Sequence, residues 1–245
     1  FEVSPVKLFF NVDPGSTQLK TVIVKNHGNK TQSFLLSVSD FTINNQGVRE
    51  YGPANSNKRS ISNWMTISPT FFELPPNEEQ SINVSIQPPI DEFGSRWGLI
   101  SVRTATEKVA FEADKTLSAG LAMSPRIMVE VYQTAHGNSQ LSAKIDQLRE
   151  IESTISDKRM FTALVTNNSD IIIPCKAYLI LSNMQSGKET IYPAITFEAY
   201  PKNTHRVTFD LPRNLPKGVY ALAAILDYGS NSTLEGSQMV IEYNE

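Results

Sequence analysis

Short apolar runs separated by turn-forming residues constrain this chain more than any other feature. Residues 3–10 and 19–26 are rich in Val, Ile, Leu and Phe, and Asp13-Pro14-Gly15-Ser16 lies between them. Proline fixes φ and glycine supplies a positive φ, so this tetrapeptide predicts a tight turn between two strands. The same alternation recurs along the chain, with turns predicted at residues 26–29, 44–47, 75–78 and 216–218. The sequence therefore predicts an all-β fold.

The first half ends in a long apolar run at residues 117–132, interrupted only by Ser124-Pro125. We interpret this run as the last strand of the first domain, with a bulge or an edge position at Pro125, because proline cannot donate to a ladder. Residues 48–62 are polar and contain Tyr51-Gly52-Pro53, which predicts a loop or an irregular edge.

A polar segment at residues 133–140 is the best candidate for a linker. With a boundary near Gly137, the sequence predicts two immunoglobulin-like β-sandwich domains in tandem, at residues 1–136 and 137–245. In the second half, residues 141–157 suit either a strand or a short helix, and residues 191–200 predict one strand. Tyr220 precedes an apolar run and is either the tyrosine that ties down a sandwich corner or a packed aromatic residue.

Composition excludes several functional classes. The net charge of −3 and the lack of a basic run interleaved with aromatic residues argue against nucleic-acid binding. Cys175 is the single cysteine, so neither an internal disulfide nor a cysteine metal cluster is possible, and its apolar surroundings predict a buried thiol. No apolar stretch is long enough to span a membrane. The chain begins at Phe1 without a signal sequence, from which we expect a processed, exported protein.

No motif for catalysis is present. The three histidines, His27, His136 and His205, lack ligand-type neighbours at metal-binding spacing, and no nucleophile elbow or phosphate-binding loop occurs. The carboxylate pairs at residues 78–79 and 91–92 lie in predicted turns. We therefore expect no enzyme, no metal and no cofactor.

Three segments of the first half resemble a known family. Residues 3–10, 19–26 and 97–103 resemble the N-terminal domain of PapD-like periplasmic pilus chaperones. Ser4-Pro5, Asp13-Pro14-Gly15 and residues 94–100 also look like the WxL-interacting protein family of bacterial cell walls. The similarity covers about residues 2–133, and the second half resembles a generic immunoglobulin-like domain.

The resemblance to pilus chaperones implies a periplasmic or cell-envelope protein that binds a pilin-like or surface-protein subunit through a strand edge and an interdomain cleft. In that family two basic side chains bind the subunit's terminal carboxylate. Lys7 falls at the first of these positions, and either Val129 or Arg126 falls at the second, depending on the register. The last strand of domain one then lends alternate side chains to the subunit. With Arg126 in register, these are Leu117, Ala119, Leu121 and Met123.

Other interpretations of the same residues remain open. Lys7 also suits a solvated surface position, and residues 117–123 also suit an ordinary core strand. A structural or adhesive envelope module that binds a surface protein or cell-wall glycan is the alternative function. Exposed aromatic residues at Tyr51, Trp64 or Phe93 would favour that module, and a coplanar exposed pair would indicate a carbohydrate-binding module.

Overall fold

The structure is a computed structural model that describes residues 1–105, 125–137, 140–155, 157–229 and 234–244. Its regular structure is almost entirely β, and the described residues contain no α-helix, only the 3₁₀ turn Ser62–Trp64. The predicted all-β fold is confirmed. The described chain divides into two compact units, Phe1–Thr42 with Tyr51–Gly137 and Ile43–Glu50 with Asn138–Glu245.

The first unit is a sandwich of two sheets. Its strands are β1 (Glu2–Ser4), β2 (Lys7–Phe10), β3 (Gln18–Lys25), β4 (Gln32–Ile43), β5 (Arg49–Pro53), β6 (Met65–Ser68), β7 (Phe71–Leu74), β8 (Glu79–Ile86), β9 (Arg96–Thr104) and β10 (Arg126–Gln133). The last residue of β4 and the first two of β5 are grouped with the second unit. One sheet has the order β1-β3-β8-β6, and the other has the order β2-β10-β9-β4-β5, with β7 also paired to β4. Alternate side chains of both sheets, such as Val24, Phe34 and Val84, are buried between them.

The turn that opens the chain forms as predicted. Ser16 N–H donates to the Asp13 carbonyl at 3.0 Å, and Gly15 has a φ of +78°. A positive φ at the third position of a four-residue turn suits glycine, since a side chain there would be strained.

The second unit is also a two-sheet sandwich. Its strands are β11 (Ala143–Ile151), β12 (Lys158–Asn167), β13 (Ile173–Asn183), β14 (Glu189–Ile191), β15 (Ile195–Ala199), β16 (Thr204–Pro212), β17 (Gly218–Asp227) and β18 (Glu235–Tyr243). One sheet has the order β11-β12-β16, and the other has the order β14-β13-β17-β18, with β15 also paired to β13. The core between them includes Phe161, Leu179 and Leu222, each at most 1% exposed.

A buried asparagine connects two turns of the first unit by side-chain hydrogen bonds. Asn26, which is fully buried, directs its amide group to the carbonyls of Lys30, Leu74 and Pro75 at 2.8, 2.9 and 3.2 Å. Its side-chain oxygen accepts from Gly28 N–H at 2.8 Å. This amide satisfies backbone groups that would otherwise lie buried without partners.

The second unit repeats this arrangement at Asn167. Its amide group donates to the carbonyls of Ile171 and Ala199 at 2.8 and 2.7 Å, and its oxygen accepts from Ser169 N–H at 2.8 Å. Asn167 is also fully buried. The two sandwiches thus fix the equivalent turn with the same side chain, although the sequence around it differs.

In the second unit the structure settles one ambiguous prediction and corrects another. Residues 143–151 of the ambiguous segment form a strand, β11, and a register shift between Asp146 and Arg149 adds a residue at Gln147, whose φ is +56°. This bulge gives the apolar residues a helix-like spacing. The single strand predicted at residues 191–200 is wrong, because the chain leaves the ladder around Pro193 and forms β14 and β15 separately.

Two individual predictions for the second unit are confirmed. The Tyr220 hydroxyl donates to the Pro216 carbonyl at 2.7 Å, which is the tyrosine corner proposed as one of the two alternatives. Cys175 is 2% exposed, and burial raises the pKa of its thiol to about 12. At neutral pH this thiol is protonated and unreactive.

Candidate binding edge of the first unit

The last strand of the first unit, β10, is paired unequally on its two sides. On one side its whole length, Arg126–Gln133, is antiparallel to β9. On the other side only Glu130 to Gln133 pair with a strand, the parallel β2. Among the described residues, the stretch 126–129 therefore has a ladder partner on one side only.

The direction of the backbone groups identifies which residues offer the open edge. Glu130 N–H donates to the Val6 carbonyl at 2.9 Å, so Glu130 directs its backbone toward the β2 side. Because this direction alternates along a strand, Arg126 and Met128 direct their N–H and C=O groups to that side as well. These two residues lie beyond the region that β2 covers. Because no described strand pairs with them on that side, we call these two residues the open edge of β10.

The side chains of β10 separate into two faces. Val129 and Val131 are fully buried in the core, and Ile127 packs against it. Arg126, Met128, Glu130 and Tyr132 occupy the opposite face by alternation. One face of the strand is thus packed into the core, and in the described part of the chain no strand pairs with the β2 side of residues 126–129.

Lys7 lies on β2, directly beside Glu130, and the two side chains form an ion pair with an Nζ–Oε2 distance of 3.3 Å. The same Glu130 oxygen accepts the Tyr132 hydroxyl at 2.7 Å. Phe9, which is 59% exposed, stacks on the Tyr132 ring at 5.4 Å. The basic residue predicted on the first strand is therefore neutralised by a carboxylate that sequence reasoning did not identify.

Arg126 faces a different residue from Lys7. The ladder pairs Arg126 with Arg103 of β9, whereas Lys7 is opposite Glu130, four positions along β10. At the rise of a strand this separates the two positions by about 13 Å. The structure thus brings two arginines directly together, although like charges opposite one another disfavour pairing. Of the two registers considered from sequence, the other places Val129 at the second basic position, and Val129 is buried.

Four of the predicted partner-binding residues, Leu117, Ala119, Leu121 and Met123, lie outside the described residues. Glu130 was missed, and the pairing of Arg103 with Arg126 was not predicted, because a residue's cross-strand neighbour depends on register. The sequence signal that does exist is alternation: Glu130 is an acidic residue between the two buried valines, Val129 and Val131, which places it on the outward face.

The three aromatic residues that would favour an adhesive envelope module differ in their exposure. Tyr51 and Phe93 are 64% and 54% exposed, and Tyr51 lies on β5 rather than in a loop. Trp64 is half-buried, and the Arg96 guanidinium lies 5.1 Å from its ring centre. Within the described ranges, no group of His, Cys, Asp and Glu residues is arranged to hold a metal ion. No helix in the same ranges is long and apolar enough to cross a membrane.

No family model matches the sequence, and no curated protein sequence matches it. Solved structures do share its fold. A chain from the chaperone-tip adhesin complex of CFA/I fimbriae biogenesis is 12% identical, with 98% of this chain and 97% of that chain covered and a TM-score of 0.53. The class 5 fimbriae chaperone CfaA is 11% identical, with the same coverages and a TM-score of 0.50. The chain thus has the two-domain fold of PapD-like fimbrial chaperones, as the sequence resemblance predicted.

Proposed function

We propose that this chain is a non-enzymatic, chaperone-like protein that holds a partner polypeptide by strand addition to β10. The observation that carries the proposal is the open edge at Arg126 and Met128. The fold supports it, since solved structures with this fold include a fimbriae chaperone and a chaperone–adhesin complex. We place the protein in the periplasm or cell envelope on the same grounds.

Strand addition explains how one edge gives both affinity and register. The partner's main chain forms hydrogen bonds with Arg126 and Met128, and its side chains alternate between two faces. The partner in this proposal is a pilin-like or surface-protein subunit whose own sheet lacks a strand. Leu117, Ala119, Leu121 and Met123 would extend the same edge toward the N-terminal side and fill the partner's groove.

The basic residues supply the second part of the proposal. Arg126 and Arg103 lie side by side without an acidic partner among the described residues, so an acidic group of the partner would relieve their repulsion. Lys7 would contribute only by exchanging Glu130 for the partner's carboxylate. Arg126 also limits unspecific pairing, since charged residues and proline, here Pro125, are common at protected sheet edges.

Met128→Pro tests the edge directly, because it removes the N–H that points to the open side. Met128→Leu is the matched control, since it keeps that N–H and nearly the same volume. The assay is aggregation, by light scattering, of a refolding pilin domain that lacks one strand. We expect the wild type and Met128→Leu to suppress aggregation and Met128→Pro to lose this effect while its circular dichroism stays unchanged. Equal suppression by all three would contradict the proposal.

A further inference from the structure

A pocket in the second unit lies where its sandwich is incompletely closed. The pocket has a volume of about 470 Å³, within the range of sites that bind small groups. Its inner wall is formed by Leu179 and Phe209, which are 1% and 4% exposed. Tyr192, Pro193, Ala194 and Ile195 form the outer wall. The pocket therefore gives access from the surface to the apolar space between the two sheets.

The break between β14 and β15 creates this opening. In that sheet the edge is formed by β14 and β15, and residues 192–194 between them are not part of a strand. Tyr192 N–H still donates to the Leu179 carbonyl of β13 at 2.9 Å, and the strand is interrupted after it, at Pro193 and Ala194. In the opposite sheet β16 is one of the two edge strands.

The free part of the β16 edge runs along the pocket. Asn167 N–H donates to the Asn203 carbonyl at 3.1 Å, which sets the odd-numbered residues of β16 toward β12. By alternation, Thr208 and Asp210 direct their backbone groups outward. Within this unit the outward N–H of Arg206 already donates to the Asn45 carbonyl at 2.8 Å, so the edge accepts main-chain partners. Asp210 and Pro212 line the pocket.

The charges at the rim indicate which side chains would suit the site. Lys158 and Asp210 form an ion pair with each other. The Asp157 carboxylate, also at the rim, helps to raise the pKa of Lys158 by its charge but forms no direct ion pair with the described residues. A basic group on a ligand would complement Asp157, while an apolar group would fill the space against Leu179 and Phe209.

From these features we infer that the second unit has its own polypeptide-binding site, in which an extended segment of a partner pairs with Thr208 and Asp210. A strand added to the edge of β16 directs every second side chain into the space between the sheets. One apolar side chain of the segment therefore enters the pocket. A neighbouring lysine or arginine contacts Asp157. This site goes beyond the proposed function and uses none of the residues of β10.

The experiment is a titration of the ¹⁵N-labelled full chain with capped heptapeptides, followed by amide chemical shifts. The first probe is Thr-Val-Thr-Phe-Lys-Val-Thr, and a panel replaces Phe by Tyr, Trp, Leu, Ile or Met. We expect saturable shifts at Thr208, Asp210 and Ala194 with at least one of these peptides. Replacing the central apolar residue by Ser should abolish them, and Asp157→Asn should remove the preference for Lys over Glu in the probe.

Two pairs of variants separate strand pairing from other kinds of binding. Thr208→Pro removes the outward N–H and should weaken binding about tenfold relative to Thr208→Ala, which keeps it. Ala194→Trp blocks the pocket mouth and should also weaken binding, whereas Ala194→Ser should not. The inference is overturned if no peptide of the panel saturates, or if Thr208→Pro and Thr208→Ala bind alike. It is also overturned if free indole competes as strongly as the peptide, or if the same shifts arise on raising the protein concentration alone.

Discussion

The last strands of the two units, β10 and β18, each pair antiparallel with the strand before them, but the hydrogen bonding at their outer edges differs. In β18 the Glu242 carbonyl accepts Arg159 Nη1 at 2.8 Å, and Ser237 Oγ accepts Leu148 N–H at 3.5 Å. In β10 the outward groups of Arg126 and Met128 have no strand partner in the described part of the chain. β18 is also the edge of its sheet, so the difference is that a side chain caps one backbone carbonyl of β18, whereas the described residues supply no such cap at Arg126 and Met128.

Arg159 is the side chain that makes the difference in the second unit. Its guanidinium binds both oxygens of Glu150 at 2.7 Å and lies 4.6 Å from the centre of the Tyr243 ring. It thus connects β11, β12 and β18. A bidentate arginine that also caps a carbonyl cannot be replaced by a lysine, which lacks the planar array of donors.

The largest loss of stability is expected from replacing the buried turn asparagine that both units contain. Asn26→Ala and Asn167→Ala each leave buried carbonyls without a donor, and we expect each to lower the free energy of unfolding of its unit by about 3 kcal/mol. Chemical denaturation, followed by amide signals from each unit, measures the two losses separately. Asn26→Asp keeps the acceptor for Gly28 N–H but not the donors, and it should be no more stable than Asn26→Ala. A loss confined to one of the two alanine variants would show that the two turns are not equivalent.

A smaller effect is expected from removing Arg159, the side chain that caps the Glu242 carbonyl of β18. Arg159→Met should cost about 1–2 kcal/mol of stability, because it breaks the paired hydrogen bonds to Glu150 and the cap on Glu242. Hydrogen exchange along β18 should accelerate. Arg159→Lys is the control for charge and should behave closer to Arg159→Met than to the wild type. An unchanged exchange rate in Arg159→Met would mean that the guanidinium does not protect this edge.

The same cluster predicts a pH dependence. The hydrogen bond from Arg159 holds the pKa of Glu150 below its usual range. Because the folded pKa is the lower one, the stabilisation is present above the unfolded pKa and is lost as the pH falls through the folded pKa. We expect the stability difference between wild type and Glu150→Gln to shrink below about pH 4. Denaturation curves at pH 7 and pH 3 measure this, and a difference that grew on acidification would have the wrong sign.

The smallest effect is expected at the ion pair beside the open edge. Lys7 is 52% exposed on its side chain, so Lys7→Met should change stability by less than about 1 kcal/mol. The affinity for the partner is a more sensitive measurement. If the partner's carboxylate replaces Glu130 beside Lys7, the Glu130→Gln variant should bind the partner more tightly than the wild type. The Lys7→Met variant should bind it more weakly. Equal affinities for both variants would exclude Lys7 from the interface.

The sequence predicted the features that depend on local chemistry. Pro14 and Gly15 specify their turn, and Tyr220 lies at the right distance from Pro216 to form the corner. Such features need only neighbouring residues. The strand at residues 143–151 stayed ambiguous because the bulge at Gln147 alters the spacing of its apolar residues.

The candidate site was harder to predict because it depends on register between distant segments. The sequence predicted that Lys7 lies on a strand. That Glu130 is its neighbour can be known only from the parallel pairing of β2 with β10. The placement of Arg126 beside Arg103 follows likewise from the β9–β10 ladder. A shift of one residue would have put different side chains on that face.

Native-state hydrogen exchange of β10 measures whether the edge at Arg126 and Met128 is open. Arg126, Met128 and Glu130 direct their amides to the same side of the strand, but only Glu130 has a described acceptor, the Val6 carbonyl. Ile127 and Val129 direct theirs to β9. We expect fast exchange at Arg126 and Met128 and slow exchange at Ile127, Val129 and Glu130. Protection of Arg126 and Met128 equal to that of Glu130 would show that the edge is already occupied and would contradict strand addition at this site.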